Sequence, residues 1–457
     1  MHKLYAEKIL IGNEWRNNVT ISIASNGKIL SLESGKDTNA DRLNGVVIPG
    51  MVNCHSHAFQ RAFAGFSEYR SGSKDSFWSW RDIMYRFVAK LSPHDAHIIT
   101  KFVYIQMLKA GYTSVGEFHY LHHQANGKPY QNPAEMSEQV IEAASAAGIA
   151  ITHLPVLYSH SNFGEKSPIQ AQARFIHSTD AYLRLVEKIQ QQYSSISNFS
   201  LGIAPHSLRA VSESQLRKII PAIRSIDSKA PIHIHIAEQV QEVRDCEAFY
   251  GKRPVDWLLD NFETDANWCL IHATHTTQSE LVKMAKSGAV VGICPSTEAN
   301  LGDGIFATQE FVNQQGKFAI GSDSHISINV AEELRLLEYG QRLRKHQRAV
   351  LTGDVCSSVG QFLYSQACEA GADAIGQDIG VIGVGKRADF IILNSNHPSL
   401  FCKDDSFILD AAIFACDQLP VQDVYVAGRR IIESGHHQQE QNVVDEYRKV
   451  LTCLVAE

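Results

Sequence analysis

The chain has 457 residues, 44% of them hydrophobic and 20% charged, with a formal net charge of -7. This length exceeds what a bare barrel needs, so one large domain plus a smaller one is the expectation. The charge argues against a chain that lives on nucleic acid or an anionic membrane, but it leaves an anionic small-molecule substrate open, because local arginines decide that.

The start, MHKLYAEKILIGNEW, has no basic segment followed by an apolar run, so no secretory signal is expected. No stretch approaches the ~18 uninterrupted apolar residues of a membrane span. The nine cysteines are scattered and odd in number, without a Cys-x-x-Cys pair, which fits reduced thiols in a cytoplasm. Short β-like runs at 8–10, 19–23 and 28–32, separated by Gly-Asn and Asn-Gly turns, open the chain. From Val46 the rhythm changes, and apolar strands alternate with amphipathic helical patterns such as 134–147 and 180–192.

Eight such strands are predicted. They are VVIPGMVNCHSHAF from Val46, GYTSVGEFHY from Gly111, GIAITHLPVLY from Gly148 and FSLGIAPHSLRAV from Phe199. The series continues with PIHIHIAEQ from Pro231, WCLIHATH from Trp268, AVVGICPSTEANLG from Ala289 and FAIGSDSHIS from Phe318. Nearly every one begins apolar and carries His, Asp, Glu or Arg at its C-terminal end, which is where barrels of this kind build active sites. After 376 the chain returns to β in IGVIGVGKRADFIILN and VQDVYVAGRRIIESG, runs expected to pair with the N-terminal strands. The predicted class is α/β: a (β/α)8 TIM-like barrel with a small β-sandwich built from both chain ends. The sandwich takes 1–47 and 377–439, the barrel takes 48–376 with a lid insertion at 65–91, and 440–457 forms a final helix.

His55 and His57 stand two apart on a strand, so their side chains share a face. His235 comes from the fifth strand and Asp323 from the end of the eighth. Three neutral imidazoles and a carboxylate suit zinc or another borderline divalent ion, with a position left open for water. A bound ion would lower that water's pKa from about 15.7 towards ~7. A lone His-x-His is more often chance than a ligand pair, but this set lies at three separate strand ends. Cys54, beside the histidines, faces the other way in a strand and reads as a buried spectator.

The pieces VIPGMVNCHSHAF, HIHIAEQ, HATH, GSDSH and GVGKRADFIIL resemble the amidohydrolase superfamily over essentially the whole chain. Within it, HIHIAEQ is similar to the deaminase branch, which uses one metal. That resemblance implies His235 as a ligand, Glu238 as proton shuttle, and His272 beside the metal holding the attacking water or the tetrahedral centre. It implies that Asp323 both ligates the metal and takes the water's proton. A binuclear member would offer a bridging lysine at the end of the fourth strand, where GIAPHSLRAV has His206 and Arg209 instead. One ion per chain is therefore expected, zinc in the first place, with iron(II) or another divalent ion as the alternative.

Gln60, Arg81, Tyr120 and Arg209, with His206, form the predicted recognition set. Arginine suits carboxylate because its planar fork donates two parallel hydrogen bonds, so two arginines on one pocket imply a substrate with one or two carboxylates. A purine would call instead for stacking and amide contacts. Most arginines are solvated surface residues, and a pair such as Trp78 and Trp80 more often packs a helix. HSHAFQRAFAG, FWSWRDIMYRF, GYTSVGEFHYLHH and APHSLRAV together resemble the formimidoylglutamate deiminase family. That resemblance implies hydrolysis of N-formimino-L-glutamate, a dicarboxylate, to N-formyl-L-glutamate and ammonia in histidine degradation. It also implies Arg81 and Arg209 on the carboxylates, with Gln60, Tyr120 and His206 helping, and a homodimer. Rival expectations are a deaminase of guanine, an adenosine-type compound or a triazine, a two-metal hydrolase of cyclic amides, and a catalytically dead scaffold.

Overall fold

The computed structural model describes residues 2–69, 77–352 and 356–456, without the side chains of 77–79. Residues 70–76 of the expected lid and the Trp78 side chain lie outside the described residues.

The first strands are β1 (His2–Ile11), β2 (Glu14–Ile23), β3 (Ile29–Ser34), β4 (Asp41–Pro49) and β5 (Met51–Ser56). The run from Val46 was expected as one strand, and here the structure differs. β4 runs past residue 47 to Pro49, and β5 starts a different sheet at Met51. Gly50 makes the crossing. Its N–H donates to the carbonyl of Asp389 at 3.2 Å while that of Met51 turns to Gly111 at 3.0 Å. A Cβ on Gly50 would sit 2.2 Å from the Thr113 side chain, so no larger residue fits.

The parallel strands follow: β6 (Tyr112–His119), β7 (Ala150–Leu157), β8 (Phe199–Leu201), β9 (Ala204–Pro205), β10 (Ile232–Ile236), β11 (Trp268–His272), β12 (Val290–Ile293) and β13 (Lys317–Ile320). One parallel sheet has the order β5-β6-β7-β8, with β9 also on β7, and the other has β10-β11-β12-β13. The expected fourth strand is thus broken in two. Single parallel bridges continue the pairing between the sheets, Ile203 to Ile232 and Ser207 to His235 on one side, Ser56 to Asp323 on the other. These strands are buried along almost their whole length, as parallel sheets covered on both faces are. Helices Glu135–Ala147 and Thr179–Tyr193 stand where the 3.6-residue period predicts them.

The strands after the helix Val359–Ile375 are β14 (Phe390–Leu393), β15 (Val421–Val426), β16 (Arg429–Glu433) and β17 (His436–His437). They join the N-terminal strands in one eight-stranded sheet of order β17-β16-β15-β14-β4-β1-β2-β3. Alternation assigns its faces. Ile9, Val47 and Ile392 close a small core of their own, while their neighbours Leu10, Val46, Ile48, Ile391 and Leu393 enter the main core. Helix Glu440–Val455 ends the chain, and no described helix is long and apolar enough to cross a membrane.

His153, on β7, is fully buried with neither ring nitrogen hydrogen-bonded, and its ring lies 5.4 Å from that of His119. Burial holds His153 well below 6.5, and burial also pulls His119 down to about 4. A depressed imidazole favours the folded state fully above the unfolded value near 6.5, and this contribution drains away as pH falls towards the folded value. His153→Leu should therefore flatten the fall in stability between pH 6.5 and pH 4 relative to the parent, by up to about 1.4 kcal/mol per pH unit. Urea denaturation across that range reads the difference. Parallel curves would mean that the ring is not held neutral.

Candidate active site

Two backbone hydrogen bonds bring the first and last parallel strands together. The N–H of His57 donates to the carbonyl of Asp323 at 3.1 Å, and that of Asp323 donates to the carbonyl of His55 at 3.0 Å. Gly321 permits the approach, because a Cβ there would lie 2.8 Å from the His55 Cβ and 2.9 Å from its carbonyl oxygen. Side chains reinforce the seam, with Asn53 donating to Ser322 Oγ at 2.6 Å and accepting from the Ser322 N–H at 3.1 Å. At the ends of β10, β11 and β13, Ala237, His272 and Asp323 hold φ of 50°, 69° and 47°. Left-handed non-glycine residues are uncommon, and here they gather around one point.

Three imidazoles converge on that point. His55 Nε2 lies 3.1 Å from His57 Nε2 and 3.0 Å from His235 Nε2. His57 Nδ1 faces the carbonyl of Phe118 at 2.8 Å, and His235 Nδ1 faces that of His206 at 3.1 Å. A carbonyl can only accept, so both rings are protonated on Nδ1 and aim Nε2 lone pairs inward. Burial holds the rings neutral, with His57 pulled down to about 3. Facing lone pairs repel unless a cation lies among them, and Asp323 Oδ1, 3.3 Å and 3.5 Å from the Nε2 atoms of His57 and His55, completes the donor set. The arrangement fits a divalent ion.

His272 Nε2 stands 3.8 Å from both Glu238 Oε1 and Asp323 Oδ2. Its Nδ1 is 3.2 Å from Glu298 Oε1, which also accepts from the Cys294 N–H at 2.9 Å. Burial opposes charge on His272, but the Glu238, Glu298 and Asp323 carboxylates around it raise its value to about 10. Burial raises Asp323 to about 7. Glu242 receives the N–H groups of Ala237 and Glu238 at 3.2 Å and 3.1 Å, clamping the strained turn that presents Glu238. His272, Cys294 and Glu298 form a second potential ligand group. However, Glu298 already binds the histidine and the backbone, and the Cys294 thiol packs with Cys54, Cys269 and Ala319. Cys54 is thereby placed as a buried spectator.

One cavity is lined by His57, His235, Glu238, His272 and Asp323, and also by Gln60, Arg81, Tyr120, His206 and Arg209. Every predicted recognition residue thus lines the same space, while His55 lies just behind it. Arg81 comes from the helix Phe77–Val88 within the expected lid. Gln60 Nε2 donates to the Tyr120 hydroxyl at 2.6 Å. Sequence reasoning missed Tyr158 and Phe175, which also line the cavity, and the carboxylates Glu242 and Glu298 behind it. Tyr158 carried a usable signal: it ends GIAITHLPVLY as Tyr120 ends GEFHY. Trp80, weighed as helix packing, does both: its ring packs edge-on against Phe63 at 5.5 Å, and it lines the cavity.

Residues 46–431 match the model of the amidohydrolase family. The chain is 47% identical over 458 residues to a formimidoylglutamate deiminase of Pseudomonas aeruginosa, covering 100% of both. It is 26% identical over 405 residues to a 5-methylthioadenosine/S-adenosylhomocysteine deaminase of Thermodesulfovibrio yellowstonii, covering 88% of this chain and 84% of that one. Among solved structures, an amidohydrolase from Brucella melitensis superposes with a TM-score of 0.94 at 43% identity, over 100% of both chains. An adenosine deaminase from Xanthomonas campestris with bound zinc shares the fold, with a TM-score of 0.82 at 19% identity over 99% and 98%.

The geometry separates the two potential ligand groups experimentally. Protein loaded with excess zinc and then desalted should carry close to one ion per chain by elemental analysis. His235→Ala should abolish the binding, and Cys294→Ala should leave it unchanged. A second ion that disappears in Cys294→Ala would place a metal in the other cluster.

Proposed function

The chain belongs to the amidohydrolase family, and on that footing we propose that it hydrolyses N-formimino-L-glutamate to N-formyl-L-glutamate and ammonia, a step of histidine degradation. The observation that carries this reading is the placement of Arg81 and Arg209 on the same cavity as Glu238, His272 and Asp323. The full-length similarity to the Pseudomonas deiminase supports it. The two parallel sheets, bridged on both sides, are then a closed (β/α)8 barrel, and the eight-stranded sheet is the small β-sandwich domain. The nine cysteines, all free, support a cytoplasmic enzyme.

In this reading His55, His57, His235 and Asp323 hold one zinc ion. When bound, the ion supplies Lewis acidity and a water acidic enough to act near neutral pH. Arg81 and Arg209 hold the two carboxylates and, with Gln60, Tyr120 and His206, turn the formimino group inward. Glu238 takes a proton from water as the water oxygen bonds to the C=N carbon, then passes that proton to the departing nitrogen. His272, protonated on Nδ1 against Glu298, holds the developing tetrahedral centre from its Nε2 side. Asp323 takes the second proton of the water, and that proton reaches the nitrogen as the C–N bond breaks and ammonia leaves. Water gains a C–O bond, the substrate loses a C–N bond, and no redox partner is needed.

Ammonia release from N-formimino-L-glutamate should greatly exceed that from guanine, adenosine or a triazine. Turnover of a purine with none of the formimino substrate would falsify the assignment. Glu238→Gln should keep the zinc content of the parent and lose about 10²–10⁴-fold in kcat. A Gln variant with near-normal turnover would remove Glu238 from the proton path.

A further inference from the structure

Tyr158 follows directly on β7, beside β9, which leads to Arg209. It is buried but lines the cavity, and its ring packs edge-on against His206 at 4.5 Å. Two groups donate to its hydroxyl. Gln172 Nε2 lies 2.9 Å away and Arg209 Nη1 3.5 Å away. Neither contact can be reversed. A guanidinium has no acceptor, and the Gln172 amide is fixed because its Oε1 already accepts the Ile169 N–H at 3.0 Å. The Tyr158 oxygen therefore spends its lone pairs on protein donors and keeps its own proton, which makes no hydrogen bond among the described residues. A buried hydroxyl with an unused proton needs a partner, and the cavity is the open direction. Arg209 makes no ion pair with a carboxylate among the described residues, although the Glu242 and Glu238 carboxylates act on it at longer range, and it lines the same cavity as the Tyr158 hydroxyl.

We infer that Tyr158 is a third donor to a substrate carboxylate, alongside Arg209, and that Gln172 is the positioning residue that turns its hydroxyl into the cavity. This rests on the carboxylate-binding reading above and extends it. The cation beside the phenol strengthens the O–H as a donor, and a hydrogen bond from O–H to an anion is among the strong ones. One carboxylate then meets a positive fork and a neutral hydroxyl together, a pairing that a purine would leave unsatisfied.

The test uses the zinc-loaded enzyme. Tyr158→Phe removes only the hydroxyl and should raise KM for N-formimino-L-glutamate about 10- to 100-fold, with kcat changed little. N-formimino-4-aminobutyrate and N-formimino-L-2-aminobutyrate each lack one carboxylate, and the penalty should vanish for one of them. Gln172→Leu should weaken binding less than Tyr158→Phe and add little to it in the double variant, since both act through one hydroxyl. An unchanged KM, or an equal penalty on all three substrates, overturns the inference. Calorimetric Kd values for N-formyl-L-glutamate keep the two proposals apart, because they need no turnover. A parent that binds this ligand and a Tyr158→Phe variant that binds it more weakly uphold the role of Tyr158 even if deimination fails. Equal Kd values overturn that role even if deimination succeeds.

Discussion

The reciprocal backbone pairing of Asp323 with His55 and His57 is the constraint on which the rest of the site depends. It joins the first parallel strand to the last, so the ligand pair near the start of the chain meets a carboxylate far along it at 3.3 Å and 3.5 Å. Backbone hydrogen bonds position atoms more rigidly than long side chains can, and the cost is local. Gly321 gives up a side chain, and Asp323 accepts a left-handed φ. The same economy recurs at β10, where the His235 N–H is bound to the carbonyl of His206 and the next turn is held by Glu242. Strain at Ala237, His272 and Asp323 persists because the surrounding hydrogen bonds over-determine it.

The cavity brings two kinds of charge together. Glu238, Glu298 and Asp323 gather around His272, an arrangement that suits a bound cation and a reaction that moves protons. Arg81 and Arg209 line the same cavity and suit an anion. In the proposed reading a dicarboxylate bearing a C=N group meets both sets, with its acidic part at the arginines and its imino carbon beside the carboxylates. A neutral purine would offer the two arginines no carboxylate, a poorer match for this cavity.

Much of this was legible in the sequence because it rests on short-range periodicity. His55 and His57 share a face by the two-residue repeat of a strand, and GSDSH and HIHIAEQ place their polar residues at strand ends. The boundary at Gly50 was less legible. VVIPGMV reads as one apolar strand, and only the Pro-Gly pair marks the crossing between sheets. Glu242 and Glu298 were out of reach, because each acts on backbone or ring nitrogens that only the folded chain brings near. Tyr158 lay between these cases. Its position at a strand end was visible, but its meaning depends on Gln172, whose amide is fixed by the backbone of Ile169.

The reacting groups and the recognition residues are carried by different elements, and this bears on how such a site can change. His57, His235, His272 and Asp323 sit on or just beyond β5, β10, β11 and β13, with Glu298 on the helix Pro295–Leu301 beside His272. Gln60 follows β5, Arg81 stands on the helix Phe77–Val88, and Tyr120, Tyr158, His206 and Arg209 lie beyond β6, β7 and β9. The two sets touch at His206 and Tyr120. The His206 carbonyl accepts from the His235 N–H and faces its Nδ1, and the Tyr120 ring packs on His57 with centroids 5.0 Å apart. A substitution at Arg81, whose helix carries none of these histidines or carboxylates, therefore alters which molecule is held, whereas one at His206 or Tyr120 is also felt at His235 or His57. Substrate choice is physically separable from the hydrolytic chemistry at the first position and coupled to it at the other two.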